Sequence, residues 1–534
     1  MNSGAFTTAN GVTLASSAIV VAGGTVHLAA GATLTAGNAS STSYAGSITG
    51  SGNLTKVGSG TFTLSAASGM TGTTTVSAGQ FSLGGSNLLA DTSAVAVAGG
   101  ALALGANSDA VGSFSISGGS LTGSGTVTAA TYAVSGGMVS ANLGGGTMNV
   151  TGNAALNGTS GATALNLNSG TLTFGSAGRL AATTAVAVSG SAGGALALGG
   201  NETIGSLAGA ANVALGPNTL TVGGANTSTT YSGGLSGAGG LAKVGSGTLT
   251  LQGNNSHNGG TTVSGGRLVG TASSLQGAIT NNAAVEFAQA TTGTYAAAIS
   301  GTGDLVKQGA GNLVLSGTSD YTGATTVSAG RLSVNGSLGT TAVTVQSGAE
   351  VGGSGSIGGI VSVLAGGTLS PGNSIQSLAV GATTFSGSST FEYEYDSTNP
   401  ASLAAAADLL VVNGDLTINS GAILTLTDLA GSPNPFVNYS TIFALVNYSG
   451  TWNNGLFTYN GTALADGDWF VAGSQEWRID YNRTSSLGLD NFTGDYLTGG
   501  SFVVITAVPE PSTWALALGA VACSGVVISR RRRR

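Results

Sequence analysis

Three stretches of this chain share one pattern and align with each other without a gap. They cover residues 44–83, 231–270 and 295–334. The only lysines of the protein, Lys56, Lys243 and Lys307, all lie 12 residues after the tyrosine that begins each stretch. A Thr-Thr-Val triplet ends 20 residues after each lysine. Such a repeat favours an architecture of stacked units, because one unit cannot bury its apolar face alone.

The spacing of the copies predicts the type of stack. The second and third copies start 64 residues apart, and the first and second start 187 apart, close to three times that distance. Similar stretches from Ala94 and Ala185 are interpreted as remnants of degenerate copies in between. If each 64-residue unit makes three coils, a coil has about 21 residues, as in a parallel β-helix.

We therefore predict an all-β fold, a right-handed parallel β-helix of about 18 coils over residues 1–370. Apolar residues alternate with polar ones, as Leu249 and Leu251 do with Thr248 and Thr250, which is typical of short strands. Only Pro217 precedes residue 370, as expected where backbone N–H groups join ladders. A sandwich or a barrel is the alternative, but neither explains the regular spacing.

The composition changes after residue 370. Acidic residues, prolines and three tryptophans then concentrate, among strand-like stretches such as "FEYEYD" and "EWRIDYN". We interpret residues 371–507 as a β-rich aromatic cap that protects the last coil from pairing with other chains. Residues 508–534 form a separate terminal segment.

The repeats resemble a known family. "LVKQGAGNLVLSGTSDYTGATTVSAGRL" is similar to the autotransporter-associated β-strand repeat, with its lysine, Gly-x-Gly, Leu-x-Leu and Thr-Thr-Val. "LSPGNSIQSL" resembles the turn that commonly follows those repeats. The resemblance covers about residues 10–380 and implies an exported β-helical protein.

The last residues combine three elements. Pro509, Glu510 and Pro511 break regular structure, Trp514 to Ile528 carry no charge, and five arginines follow. Those arginines are Arg530, Arg531, Arg532, Arg533 and Arg534. As a helix the apolar segment is roughly 22 Å long, so it spans a bilayer only with help from its flanks. The arginines predict a cytoplasmic end and a body outside the inner membrane.

This terminal segment closely resembles the PEP-CTERM sorting signal of Gram-negative bacteria. The resemblance implies a precursor anchored in the inner membrane and processing near Pro-Glu-Pro by an exosortase, a membrane-embedded transpeptidase. It also implies a mature protein at the cell surface or in the extracellular matrix, often with exopolysaccharide. Because residues 1–24 contain no Lys or Arg, we expect an export leader to lie upstream of Met1.

Candidate functional residues are few. The three lysines predict either solvated side chains at turns or a ligand-binding stripe with a spacing of about 14 Å, able to touch an acidic polysaccharide. Glu392, Glu394 and Asp396 share one face of a strand; a water-facing edge strand is the first interpretation and a glycosidase-like acid pair the second.

Other candidates carry weaker signals. Asp466 and Asp468 predict a polar turn, with a Ca²⁺ site as the alternative. "GSGSIG", residues 353–358, fits a dinucleotide fingerprint, but a strand follows it instead of a helix. His27 and His257 are 230 residues apart and support neither a metal site nor a triad. We predict no cofactor.

The balance of cationic and acidic residues limits the classes of function that we consider. Without the arginine tail, the chain has eight cationic and twenty acidic residues, so we expect no nucleic-acid binding. The first functional hypothesis is a non-enzymatic surface or matrix protein, an elongated stalk for adhesion or for exopolysaccharide and biofilm scaffolding. The second is a polysaccharide-acting β-helix enzyme, which would need charged residues converging on adjacent coils.

Overall fold

A computed structural model describes residues 5–7, 13–16, 23–190, 195–397, 407–430, 442–473, 475–484 and 501–508. These residues form an all-β parallel β-solenoid of about 18 turns and contain no helix. The expectation of stacked parallel coils is thereby confirmed. The chain divides into two compact units, Met1–Ala283 and Ala284–Arg534.

In the first unit, parallel strands stack into three ladders, one on each face of the coil. We call the longest of them the first ladder. Its strands are Thr13–Ser16, Thr33–Ala36, Asn53–Lys56, Thr73–Val76, Ala94–Val97, Asp109–Ile116, Thr126–Val134, Asn142–Leu143, Thr147–Val150, Ala164–Leu167, Ala185–Val188, Ser206–Gly209, Thr229–Tyr231, Thr248–Leu251 and Arg267–Gly270.

The second ladder follows the first around each coil. Its strands are Thr42–Tyr44, Thr61–Leu64, Gln80–Leu83, Ala101–Ala103, Ser120–Thr122, Met138–Val139, Ala154–Leu156, Thr171–Phe174, Ala195–Ala197, Asn212–Ala214, Leu235–Gly237 and Ser256–His257. The third ladder has an early and a late part. Its strands are Ala5–Thr7, Thr25–Leu28, Ser47–Gly50 and Gly69–Met70, then Glu202–Ile204, Leu220–Val222, Leu241–Lys243, Thr261–Val263 and Ile279–Asn281.

The second unit also has three ladders, and one short strand, Ile299–Ser300. The first of them contains Ala284–Ala288, Asp304–Gln308, Thr325–Val327, Val343–Val345, Val361–Val363, Thr383–Phe385 and Leu416–Ile418. The next contains Gly293–Tyr295, Asn312–Leu315, Gly330–Val334, Ala349–Gly353, Thr368–Pro371, Thr390–Tyr395, Ile423–Asp428, Thr458–Tyr459 and Thr462–Ala463.

The last ladder changes direction at its end. Its parallel strands are Thr318–Ser319, Ser337–Leu338, Ser356–Ile357, Ser377–Val380, Leu409–Val412 and Ile442–Tyr448. Three antiparallel strands then follow in the order Ser501–Val508, Gln475–Thr484 and Trp469–Ala472. We call these three strands, with Ile442–Tyr448, the C-terminal antiparallel sheet. Parallel pairing thus runs past residue 370, where the sequence analysis placed the end of the β-helix, while the division into three domains stays a prediction.

The interior of the coils is an apolar column. The alternation predicted from "GTLTL" is confirmed, since Leu249 and Leu251 are buried. Register brings like side chains together: Phe62 lies opposite Phe81 in the next coil, and their rings stack with centroids 5.7 Å apart. Pro217 lies in a turn outside the ladders, as expected for a residue without a backbone N–H.

The terminal sorting elements lie outside the described residues. They are Pro509, Glu510, Pro511, the apolar segment Trp514 to Ile528, and the arginines Arg530 to Arg534. Across the part of the chain that the structure describes, no helix is long and apolar enough to cross a membrane.

Truncation of one ring in the column tests the stacking. Phe81→Ala should lower the free energy of unfolding by about 3–5 kcal/mol, because it leaves a cavity between two coils. The control is Ser82→Ala in the same strand, whose half-buried side chain points to the other face. Urea denaturation of both variants measures the difference; equal stabilities would mean that the column contributes little.

Candidate functional site: the lysine-centred repeats

The lysines that mark the repeats are buried, not exposed. Lys56, Lys243 and Lys307 have 0, 1 and 0% of their surface accessible. Each lies two residues after a buried leucine in its strand, so the period of two places both side chains on the same inward face. The predictions of a solvated lysine and of a ligand-binding stripe are therefore wrong.

The ammonium group of each lysine holds two turns together. Its Nζ donates hydrogen bonds to the carbonyl oxygens of the next two residues and of a residue 22 positions ahead, in the turn of the next coil. Lys56 donates to Val57 (2.6 Å), Gly58 (2.9 Å) and Ala78 (3.1 Å); Lys243 to Val244 (2.7 Å), Gly245 (3.0 Å) and Gly265 (3.1 Å); Lys307 to Gln308 (3.0 Å), Gly309 (2.7 Å) and Ala329 (2.9 Å). We call this arrangement the lysine clamp. An ammonium has three donors, so none is left without an acceptor.

Two glycines make the clamp possible. In the first repeat, Gly58 has φ +70° and Gly79 has φ +63°, a conformation that other residues rarely adopt. A Cβ atom on Gly79 would lie 2.7 Å from the Nζ of Lys56. The Lys-x-Gly and Ser-x-Gly elements of the repeat therefore shape the backbone around the ammonium.

The Thr-Thr-Val triplet belongs to the same device. Val76, Val263 and Val327 pair with Lys56, Lys243 and Lys307 across parallel strands. The 20-residue interval between lysine and valine is thus one coil. The equal spacing in the three copies of the repeat reflects register between neighbouring coils.

The clamps of the first unit do not form a line. Lys56 lies in the first ladder and Lys243 in the third, so the second copy is rotated by one face of the coil. A stripe of lysines with regular spacing is therefore not formed there. The clamp connects only adjacent coils and works on either face.

Burial affects the protonation of the clamps. It lowers the pKa of Lys56 and Lys243, and that of Lys307 to about 8. An amine with that pKa is still mostly protonated at pH 7, so Lys307 keeps its three donors under neutral conditions.

A second type of clamp lies in the degenerate region of the first unit. Asp109 accepts hydrogen bonds from the backbone N–H groups of Leu88 (2.8 Å) and Leu89 (3.2 Å) in the preceding coil. Glu202 accepts them from Arg179 and Leu180, both at 2.8 Å. Both carboxylates are almost fully buried, which raises their pKa. The sequence analysis did not single out these residues, although each follows an "ALALG" stretch within four residues.

The acidic strand is not an edge. Thr390–Tyr395 pairs in parallel with Thr368–Pro371 on one side and Ile423–Asp428 on the other, so the interpretation as a water-facing edge strand is wrong. Its alternation is as expected: Phe391, Tyr393 and Tyr395 are buried, while Glu392 and Glu394 are half-buried.

Arg331 and several carboxylates meet beside this strand. Arg331 forms an ion pair with Glu350 and also donates to the backbone carbonyl of Gly372. Burial raises the pKa of Glu350 and Glu394, and repulsion from Glu392 adds to both effects. The raised values indicate carboxyl groups that hold protons at higher pH than usual.

Asp408 stabilises the turn that follows "LSPGN". It is fully buried, and its carboxylate oxygens accept the N–H groups of Gln376 (3.0 Å) and Glu394 (3.1 Å). Burial raises the pKa of Asp408 to about 8, against the effect of these two hydrogen bonds. This contact pattern assigns Asp408 a structural role.

The remaining candidates have local partners. Asp468 accepts the N–H of Ala465 and Asp466 that of Tyr481, both at 2.7 Å, as in a polar turn. Among the described residues, no group of three His, Cys, Asp or Glu side chains could hold a metal ion. His257 is buried and contacts Thr261, whereas the exposed ring of His27 contacts Thr49.

The glycine-rich segment "GSGSIG" leads into a strand. Gly353 ends the strand Ala349–Gly353, Ser356–Ile357 is a short strand within the segment, and the strand Val361–Val363 follows. The expected absence of a helix after this segment is confirmed. The segment therefore lacks the helix N-terminus on which a dinucleotide phosphate would rest.

The lysine clamps coincide with the matches to a known repeat. A family model described as the passenger-associated-transport-repeat matches residues 54–83, 241–269 and 305–334. Each match contains one lysine, its turn and its Thr-Thr-Val triplet. No curated protein matches the chain. The matches support autotransporter-associated β-strand repeats, and together with the β-solenoid they fit an exported, autotransporter-like surface protein.

Removal of one ammonium group tests the clamp. Lys243→Met should lower the free energy of unfolding by about 3 kcal/mol, because three inward carbonyl oxygens lose a charged donor. Gln252→Met, an exposed change in the same repeat, is the control. Hydrogen exchange should show faster opening of residues 244–266 only in Lys243→Met. Identical exchange in both variants would contradict a clamp.

The buried carboxyl group of Asp408 should make stability depend on pH. Its pKa is about 8 in the folded chain, against 3.8 for an exposed aspartate, so between these values the folded state binds the extra proton. Stability should therefore fall as pH rises from 4 to 8, by up to ~1.4 kcal/mol per pH unit. Urea denaturation of Asp408→Asn should show a flatter profile than the parent; parallel profiles would contradict the assignment.

Proposed function

We propose that this protein is a non-enzymatic, exported surface or extracellular-matrix protein that serves adhesion or the scaffolding of exopolysaccharide in a biofilm. The observation that carries the proposal is the lysine clamp, found at all three matched repeats. In the clamp, the lysine that occurs at the same position of each repeat joins two coils and does not contact a substrate. A repeat whose lysine holds adjacent coils together fits a structural protein that is presented at the cell surface or in the matrix.

The route of export is part of the proposal. The Pro-Glu-Pro element, the apolar segment and the arginine tail support a precursor anchored in the inner membrane of a Gram-negative bacterium. An exosortase would cleave near Pro509 to Pro511 and release the body to the cell surface or matrix. The membrane is a transient partner in this scheme, and the exosortase is the processing partner.

Mapping the mature C-terminus tests the route. In the bacterium that produces the protein, mass spectrometry of the extracellular form should find a chain that ends before Arg530. Alanine at Pro509, Glu510 and Pro511 should leave the arginines in place and keep the protein in the inner-membrane fraction. Pro217→Ala, in an exposed turn, is the control and should be processed normally. Extracellular protein that retains the arginine tail would contradict exosortase processing.

A polysaccharide-acting enzyme is the second candidate function. The favouring observation is the group of Glu350, Glu392 and Glu394 beside Arg331, in which burial and mutual repulsion raise the pKa of Glu350 and Glu394. General acids of glycosidases have raised pKa values for the same reasons. Incubation of the purified protein with neutral and acidic glycans distinguishes the two: turnover that Glu394→Gln abolishes would establish the enzyme, whereas binding without cleavage would support the display protein.

A further inference from the structure

A row of four residues crosses one face of the C-terminal antiparallel sheet. Trp469 pairs with Arg478, Arg478 with Thr506, and Thr506 with Ile442. Directly opposite side chains in such a sheet lie about 4.5–5.5 Å apart at Cβ. The other face of the sheet is apolar, with Trp477 and Ile479 fully buried.

A pocket of about 380 Å³ opens along this row. Among the described residues, its polar lining includes Asp466, Arg478, Asp480, Tyr481, Arg483 and Thr506. The volume falls within the range of small-ligand sites, roughly 300–1,000 Å³.

A β-bulge completes the pocket. The register with Ser501–Val508 shifts between Asp480 and Arg483, and Asn482 takes φ +51° within the bulge. Without the shift, alternation would place Arg483 on the face opposite Arg478 and Asp480. The bulge therefore turns a second guanidinium group to the same side, a re-aiming that bulges commonly provide beside functional sites.

Two groups of the pocket lack partners within the described part of the chain. The hydroxyl Oγ1 of Thr506 is buried and has no hydrogen bond there. Arg483 pairs with no carboxylate of the described residues, whereas Arg478 is held by Asp480 at 2.7 Å. A buried hydroxyl without a partner costs about 1–3 kcal/mol, and a ligand that met this hydroxyl after rotation of the Thr506 side chain would recover that energy.

An aromatic surface lies next to these groups. Trp469 is 58% exposed and stands directly opposite Arg478, on a strand that has no further described strand beyond it. A large exposed indole is unusual, because tryptophan is mostly buried. Its flat face offers an apolar platform beside Arg478, which lines the pocket.

These features together specify the chemistry of a ligand. Among the described residues, two guanidinium groups and two carboxylates line the pocket; their formal charges balance, and both donors and acceptors are present. The lysines are buried, and the body has an excess of acidic residues, which disfavours anionic ligands. A pyranose ring fits, since its C–H face packs on an indole while its hydroxyl groups both donate and accept.

We propose that this pocket binds a sugar residue of an uncharged glycan, with the ring against Trp469 and its hydroxyl groups on Arg478, Arg483 and Thr506. The biological role rests on the proposed function, since an exported protein meets such glycans. Binding itself is a property of the purified protein and is measured separately from export.

Titration of the full chain with oligosaccharides tests the site. The probes are neutral gluco-, manno- and galacto-oligosaccharides and uronate oligomers of equal length, followed by tryptophan fluorescence and calorimetry. At least one neutral series should bind, and the uronates should bind more weakly. Trp469→Ala should weaken binding about tenfold or more, and Thr506→Val, which keeps the shape, about threefold.

The chain offers a matched control. Val471 lies on the same strand and face as Trp469 and is equally exposed, at 58%, but is not part of the row. Val471→Ala should leave affinity unchanged, and Trp469→Tyr, which keeps a ring, should retain most of it even if Trp469→Ala folds poorly.

Three results would overturn the proposal. They are the absence of binding by every neutral series, tighter binding of uronates, and equal losses in Trp469→Ala and Val471→Ala. Self-association through the strand Trp469–Ala472 without glycan binding would likewise identify a second copy of the chain as the occupant. Export can fail in the cellular experiment while this binding persists, so the two proposals are separable.

Discussion

Each coil of this protein must approach the next closely enough for its backbone to form parallel ladders. At the corners this requirement concentrates carbonyl oxygens in a small space, where side chains larger than hydrogen do not fit. In the repeats the chain meets this demand with glycines in left-handed conformation and with one buried ammonium, which bonds carbonyl oxygens of two successive turns. Asp109 and Glu202 solve the converse problem, since they accept N–H groups that a turn leaves without partners. In both kinds of clamp the charged group lies inside the fold.

Much of the fold could be predicted from the sequence, because stacking leaves a periodic trace. The alternation of Leu249 and Leu251 with threonines indicates strands, and the interval from Lys56 to Val76 equals one coil. The burial of the lysines was missed although Leu54 and Lys56 share a face by the same period of two. The general preference of lysine for solvent outweighed the local pattern, and the carbonyl oxygens that make burial favourable are invisible in a sequence.

The candidate sites were less predictable for a related reason. The strand that carries Glu392 and Glu394 was predicted to lie at the edge of a sheet. Its pairing partners on both sides come from distant parts of the chain, and the sequence does not show which residues pair. The pocket beside Trp469 depends on a bulge at Asn482, where a single extra residue reverses the face of Arg483. The stretch "EWRIDYNRT" does not indicate that Arg483 changes face, because a regular strand and a bulged strand have the same composition. Sites built from register shifts are thus the hardest to infer from residue patterns.

The rotation of the second lysine repeat relative to the first has a consequence for how such a chain can change in length. Because each clamp reaches only from one coil to the next, a copy works wherever it falls around the circumference, and copies need not be separated by whole turns. A gain or loss of strands between them, even of less than a whole turn, therefore leaves each existing clamp intact. Proteins of this kind can thus change in length without keeping their lysine copies on one face of the coil.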